Sequence, residues 1–136
     1  MLGNEIIEKF QRDGYLNLSR QIFLNYSIDK VFDFFSDAGN LDILTPKWLN
    51  FNILTDMPIS ISKGTQIEYK LKYRGVPIRW TSNINEWEPP YFFIDEQIKG
   101  PYRKWIHFHN FQSKDSGTLV TDTVFYKIIG NKQIDG

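Results

Sequence analysis

The sequence predicts a single α+β domain in which an antiparallel sheet of about six to seven strands curves around helices. Three observations support this class. The chain has 136 residues, which is the usual size of one domain with one core. Apolar and polar residues alternate strictly along 66–74, as expected for a half-buried strand. Turn-forming Gly, Pro, Asn and Asp residues then separate further β-prone segments as far as residue 128.

Helical spacing of apolar residues is confined to the first third of the chain. Ile6, Ile7 and Phe10 share one helical face, so residues 1–14 are predicted to form an N-terminal helical extension. Ser27 precedes a second apolar stripe at helical spacing and is a typical N-cap residue. We therefore expect two helices before the long run of strands, and a shorter helical turn within residues 37–44.

The main domain is predicted to span residues 15–128, with residues 129–136 as a short C-terminal tail. It begins with a strand, continues with the capped helix and ends in hairpin-connected strands. Because a one-residue slip turns every side chain to the other face, the hairpin turns predict one register and one common inner face. The pairs expected in this register are His109 with Asp122, Glu96 with Trp105, and His107 with Ile94.

The predicted inner face is apolar and rich in aromatic residues, and it carries a polar patch. We expect a small apolar ligand to contact both parts of this face. The apolar candidates for ligand binding are Tyr69, Tyr73, Ile78, Trp80, Ile94, Trp105, Phe111 and Tyr126. The polar candidates for ligand binding, and for any catalysis, are Glu96, His107, His109 and Asp122.

Two kinds of chemistry are open to this polar patch. In the first, His107 and His109 bind a metal ion, because they lie two apart on a strand and project to one side. A carboxylate of Asp122 or Glu96 would then complete the set of ligands. A His–Asp pair satisfied across neighbouring strands is the simpler interpretation, so we expect no metal. Alternatively, burial shifts the pKa values of these groups toward the range needed for a general acid and base.

Composition excludes several classes of protein. The 16 basic and 16 acidic residues balance, so we expect no nucleic-acid partner. The absence of cysteine excludes disulfides, thiolate metal sites and thiol nucleophiles. No phosphate loop or dinucleotide fingerprint occurs, and we expect no cofactor. No apolar run is long enough to span a membrane, and Glu5 and Glu8 interrupt the N-terminus, so we expect a cytoplasmic protein.

Several sequence motifs resemble the START-like, Bet v 1-like (SRPBCC) superfamily, in the branch similar to polyketide cyclases and dehydrases. The resemblance covers about Tyr15 to Ile128. It implies a helix-grip fold, with a sheet wrapped around helices, and a hydrophobic cavity. The motifs that carry it include Val31-Phe32-Asp33-Phe34-Phe35, Glu86-Trp87-Glu88-Pro89-Pro90, Gly100-Pro101-Tyr102 and Trp105-x-His107-x-His109-x-Phe111.

One departure from this superfamily bears on assembly. Its members end in a long helix that lies in the grip of the sheet, whereas only eight residues follow Ile128. Because an exposed aromatic face favours association, and because the N-terminal helix is long enough to cover only part of it, we expect a second copy of the chain to cover the rest, and hence a homo-oligomer. The predicted function is binding of a small hydrophobic or amphipathic molecule. The alternatives are a cyclase, dehydratase or isomerase, and a non-catalytic protein-interaction module.

Overall fold

A computed structural model describes residues 2–40 and 47–128. The predicted tail, 129–136, and the second half (41–44) of the helical turn predicted within 37–44 lie outside these ranges. The helices are α1 (Leu2–Arg12) and α2 (Ile28–Ser36), with short 3-10 turns at Ala38–Asn40 and Lys47–Leu49. The strands are β1 (Leu16–Leu24), β2 (Asn52–Ile53), β3 (Gln66–Tyr73), β4 (Val76–Glu88), β5 (Phe92–Lys99), β6 (Lys104–Lys114) and β7 (Gly117–Lys127).

The seven strands form one antiparallel sheet in the order β1-β7-β6-β5-β4-β3-β2. The predicted helix-grip α+β fold is therefore confirmed. The first hairpin closes as predicted, with Tyr73 opposite Val76. The β6–β7 hairpin also has the predicted register, which places His109 opposite Asp122. No helix among the described residues is long and apolar enough to cross a membrane.

The predicted register between β5 and β6 is wrong by one residue. Asp95 lies opposite His107, whereas Glu96 lies opposite Ile106 instead of Trp105. The connection between these strands is closed by the Gln97 side chain, whose amide bonds both the backbone N–H and the carbonyl oxygen of Tyr102. This connection spans residues 100–103, one position later than the four-residue turn predicted at 99–102.

A bulge in β4 changes which side chains of β4 and β5 share a face. The pairing between β4 and β5 is irregular between Ile84 and Glu86. A bulge adds one residue to one strand, so the alternation of side chains changes phase there. As a result, Trp87 and Phe93 lie on the face of the sheet that carries Ile84, which we call the cavity face.

Helix α1 packs against the opposite face of the sheet, which we call the α1 face. Ile6, Ile7 and Phe10 contact a buried cluster there, and the Phe10 ring stacks on the fully buried Phe125 with ring centroids 4.5 Å apart. The expectation that the N-terminal helix covers part of the inner face is therefore wrong. The other members of this cluster are Ile106, Phe108, Tyr15, Phe92 and Ile94.

Helix α2 closes one end of the cavity face. The Ser27 side chain caps it by accepting a hydrogen bond from the Lys30 N–H. Its apolar side chains Val31 and Phe32 are buried against strands β5, β6 and β7, through Phe93, Phe111 and Val120. Because this packing occupies only one end of the face, a hollow remains beside it.

Candidate functional site

A cavity of about 260 Å³ lies between the cavity face and the segment that follows α2. Strands β3, β4, β5 and β6 supply most of its wall, and Phe35, Asp37 and Ala38 lie at the helical end. The wall is mainly apolar. Its aromatic members include Phe51, Tyr69, Trp80, Trp87, Phe93 and Trp105, and its aliphatic members include Ile61, Ile67, Leu71 and Ile84.

The aromatic wall is held together by ring contacts and by one shared hydroxyl. Trp80 donates its indole N–H to Ser82 Oγ at 3.2 Å, and the Tyr69 hydroxyl lies 3.2 Å from the same oxygen. The Trp105 ring meets Trp80 edge-on, with centroids 5.4 Å apart. Burial raises the pKa of Tyr69, and the nearby Asp95 adds to this effect. The polar atoms of Trp80 and Tyr69 are thus satisfied within the protein, so these two rings offer a ligand mainly apolar surface.

Four polar side chains lie together on the cavity face, and we call them the polar cluster: Asp95, His107, His109 and Asp122. His109 lies at its centre. Its Nε2 is 2.7 Å from Asp95 Oδ2, and its Nδ1 is 3.3 Å from Asp122 Oδ1. The Phe93 ring stacks on one side of the imidazole at 4.0 Å, and His107 stacks at 3.7 Å. The orientation of the His109 ring is therefore set by two neighbouring carboxylates and by two stacked aromatic rings.

The two histidines have opposite tendencies to carry a charge. Burial alone lowers the pKa of His109, but its close contacts with the carboxylates of Asp122 and Asp95 outweigh that effect and raise the pKa to about 9. Burial lowers the pKa of His107, and the neighbouring His109 lowers it further. Although burial raises the pKa of Asp122, the two neighbouring histidines bring it well below its usual range. At neutral pH the cluster therefore combines a charged His109 with a neutral His107.

His107 is less well paired than His109. Its Nε2 lies 3.7 Å from Asp122 Oδ1, which is too far for a good hydrogen bond. Both atoms are buried and lack a hydrogen-bond partner. An unsatisfied buried polar group costs about 1–3 kcal/mol. Of this pair, His107 lines the cavity, so the unpartnered atoms lie beside the space that a ligand would occupy.

The structure brings together only part of the set predicted from sequence. Tyr69, Trp80, Trp105, His107 and His109 line the cavity, and Asp122 contacts both histidines. The expectation that these six residues bind a ligand remains a prediction, which the geometry supports.

Glu96 and Ile94 lie on the α1 face because of the shifted β5 register. Glu96 Oε1 accepts a hydrogen bond of 2.8 Å from the Asn85 side chain, and Ile94 packs into the cluster under α1. Placing these two residues on the inner face was wrong.

The remaining candidates lie beside the cavity. Phe111 is buried under α2, and Tyr126 packs near Trp105 with ring centroids 6.3 Å apart. Tyr73 is 46% exposed, and its ring lies near Trp48. Ile78 pairs with Leu71 but is not part of the cavity wall described above.

Sequence reasoning missed several residues of the site, and Trp87, Phe93 and Asp95 are those on strands β4 and β5 whose position depends on the bulge. The spacing Ile84 to Trp87 contains a signal for the first two, because apolar residues three apart in a strand break the alternation and indicate a bulge. Asp95 had no such signal of its own. Its position follows once the bulge and the pairing of β5 with β6 are known.

Comparison with known proteins places the chain in a family. The family described as polyketide cyclase / dehydrase and lipid transport matches residues 24–133. No curated protein sequence matches the chain. Similar solved structures include a protein of Thermus thermophilus, with 14% identity, a TM-score of 0.68 and coverage of 85% of this chain and 77% of that chain.

Two further solved structures have the same fold. Ara h 8.0201 has 14% identity and a TM-score of 0.62, over 86% of this chain and 80% of that chain. Major latex-like protein 151 of Panax ginseng has 12% identity and a TM-score of 0.66, over 87% of this chain and 83% of that chain. At these low identities, the TM-scores show that the three structures share the fold of this chain. Since the family match spans most of the sequence, the chain belongs to the polyketide cyclase / dehydrase and lipid transport family.

Proposed function

We propose that this protein binds a small apolar or amphipathic molecule in the cavity beside α2. The observation that carries this proposal is the contrast within the cavity wall. Aromatic and aliphatic side chains form most of it, and Asp95, His107 and His109 form a polar region. An apolar cavity with a few converging polar groups is the usual form of a small-molecule site.

The energetics of the cavity support this proposal. Burial of apolar surface stabilises a complex by about 25 cal/mol for each Å² removed from water. The polar cluster orients a ligand that has one polar end, because Asp95, His107 and His109 all reach the cavity wall. A family described by lipid transport and by cyclase or dehydrase activity agrees with a ligand that is mostly apolar.

The proposal is tested with the neutral fluorescent probe N-phenyl-1-naphthylamine and a variant that fills the cavity. Leu71 lines the cavity, so Leu71→Trp is expected to abolish the rise in probe fluorescence. Lys70→Trp is the matched control, since Lys70 is exposed and is the preceding residue of the same strand. Equal probe binding by both folded variants contradicts the proposed site.

A second candidate function is proton transfer on a bound substrate by the polar cluster. The observation that favours it is a neutral, partly unpaired His107 stacked on a charged His109 within one cavity. General acid or base catalysis typically contributes about a hundredfold or more to a rate. For any cyclisable or dehydratable substrate that is turned over, His107→Gln is expected to lower turnover at least to that extent. Glu96→Gln, on the α1 face, is expected to leave it unchanged, and full turnover by the His107 variant contradicts this candidate.

A further inference from the structure

We propose that Asp95, His107 and His109 form a binding site for one divalent transition-metal ion, with Asp122 as the residue that orients His109. This site goes beyond apolar ligand binding and does not depend on it. It also differs from the sequence-based expectation of no metal, which considered only Asp122 and Glu96 as carboxylate ligands. The third ligand, Asp95, is brought beside the histidines by the observed β5 register.

The ligand atoms are close and come from a rigid part of the sheet. One oxygen of Asp95 and one ring nitrogen from each histidine all lie within 4.8 Å of one another. Asp95 and His107 are directly opposite across β5 and β6. Since bonds from zinc to nitrogen and oxygen are about 2.0–2.2 Å long, small side-chain rotations are enough to bring the three ligands onto one ion.

The chemistry of the set suits a transition metal. Two imidazoles and one carboxylate are typical ligands of Zn²⁺, Fe²⁺ and Co²⁺ where further coordination positions stay open. The three side chains also line the cavity. A bound ion would therefore present its open positions to the cavity, where water or a polar end of the ligand completes the coordination.

Asp122 supplies the support that metal-bound histidines usually have. Histidine ligands commonly donate their second ring N–H to a carboxylate, which fixes the tautomer and the ring orientation. Asp122 Oδ1 lies 3.3 Å from His109 Nδ1, so a small rotation of either side chain is enough to form that hydrogen bond, and Nε2 is the nitrogen that faces Asp95. Metal binding replaces the proton shared by Nε2 and Asp95, and that proton is released to solvent.

His107 provides a second, independent indication. Its Nε2 is buried without a hydrogen-bond partner, although it faces a region that contains two carboxylates. A metal ion gives a ring nitrogen of His107 a partner and compensates the negative charge nearby. A His–Asp pair that only stabilises the sheet would need His109 and one carboxylate. It would not require a second histidine, His107, stacked on His109 with ring centroids 3.7 Å apart.

A metal titration of this chain is simple to interpret, because the sequence has only two histidines and no cysteine that could bind the ion elsewhere. Tag-free, full-length protein is dialysed against a chelator and titrated with Zn²⁺ by calorimetry and with Co²⁺ by visible absorption. We expect one ion per chain. Asp95→Asn and His107→Gln are expected to weaken binding on the order of a hundredfold or more, and Asp122→Asn about 10–100-fold.

Glu96→Gln is the matched control for Asp95→Asn. It removes the same charge at the next residue of the strand, but on the α1 face, so it is expected to leave the affinity unchanged. Equal weakening by the two carboxylate variants overturns the proposed site.

A measurement on the wild-type chain keeps the test decisive if a variant fails to fold. The imidazole ¹⁵N resonances of His107 and His109 are expected to shift together on addition of one equivalent of Zn²⁺. Unshifted imidazole resonances, or the absence of stoichiometric binding, overturn the metal site. Binding of the naphthylamine probe by the metal-free protein is measured in parallel, so failure of the metal site is distinguished from failure of the cavity.

Discussion

Asp95 and His109 are joined by a 2.7 Å contact between Oδ2 and Nε2, across neighbouring strands whose register the sequence did not predict. A hydrogen bond to a charged group contributes about 1.5–3 kcal/mol to stability. Asp95→Asn is therefore expected to lower the free energy of unfolding by about that amount. Chemical denaturation monitored by circular dichroism measures it.

The control for this change is Glu96→Gln, whose carboxylate bonds the Asn85 side chain on the α1 face. Because this carboxylate lies outside the polar cluster, we expect a loss below about 1 kcal/mol. A loss equal to that of Asp95→Asn contradicts the special role of the Asp95–His109 pair.

The pH dependence of stability reports the same pair in chelator-treated protein. His109 has a folded-state pKa raised to about 9 from 6.5, so its contribution is complete below pH 6.5 and is lost as the pH rises toward 9. The loss is on the order of 3 kcal/mol, because each pKa unit corresponds to about 1.4 kcal/mol. Unfolding free energies measured from pH 6.5 to 9.5 test this expectation. His109→Gln is expected to remove most of the alkaline loss, and an unchanged slope contradicts the assignment.

Helix α1 stabilises the sheet from the face opposite the cavity. Phe10→Ala removes the ring that stacks on Phe125. Replacing a fully buried Phe by Ala costs about 3–5 kcal/mol. Because Phe10 is only partly buried, we expect this change to lower the free energy of unfolding by about 2 kcal/mol. Phe34→Ala, at a residue that is 39% exposed, is the control and should cost less. Phe10→Ala should also leave probe affinity unchanged, and a large loss of affinity contradicts the position of α1.

Self-association remains a prediction, and β1 now indicates where to test it. Leu18 and Ile22 pair with Val124 and Val120, which places them on the cavity face, and they are 65% and 51% exposed. Exposed apolar surface of this kind favours association. We expect light scattering to show a dimer or larger assembly, and the double change Leu18→Ser and Ile22→Ser to shift it toward monomer. A wild-type monomer near 16.1 kDa contradicts the prediction.

The parts of the fold that sequence predicted are those in which local pattern and turn chemistry agree. The alternation in β3 and the tight turn at Arg74-Gly75, where both residues have positive φ, determine the first hairpin. The β6–β7 register follows from the short turn before Gly117. That register alone places His107, His109 and Asp122 on one face.

Strand β5 could not be predicted in the same way for a physical reason. Its Phe92 and Ile94 are covered by α1, whereas Phe93 packs under α2. With apolar partners on both faces, alternation no longer distinguishes the inner face from the outer one. The bulge in β4 and the Gln97 side chain then decide the register, which is why Glu96 was predicted in place of Asp95.

The most direct test of the cavity uses the four tryptophans of the chain. Trp80, Trp87 and Trp105 line the cavity, whereas Trp48 is 65% exposed and is not part of the cavity wall. Indole N–H resonances are recorded by NMR while N-phenyl-1-naphthylamine is added. Binding in the cavity predicts saturable shifts of the three lining indoles and little change at Trp48. Shifts confined to Trp48, or none at the three lining indoles, would contradict ligand binding in this cavity.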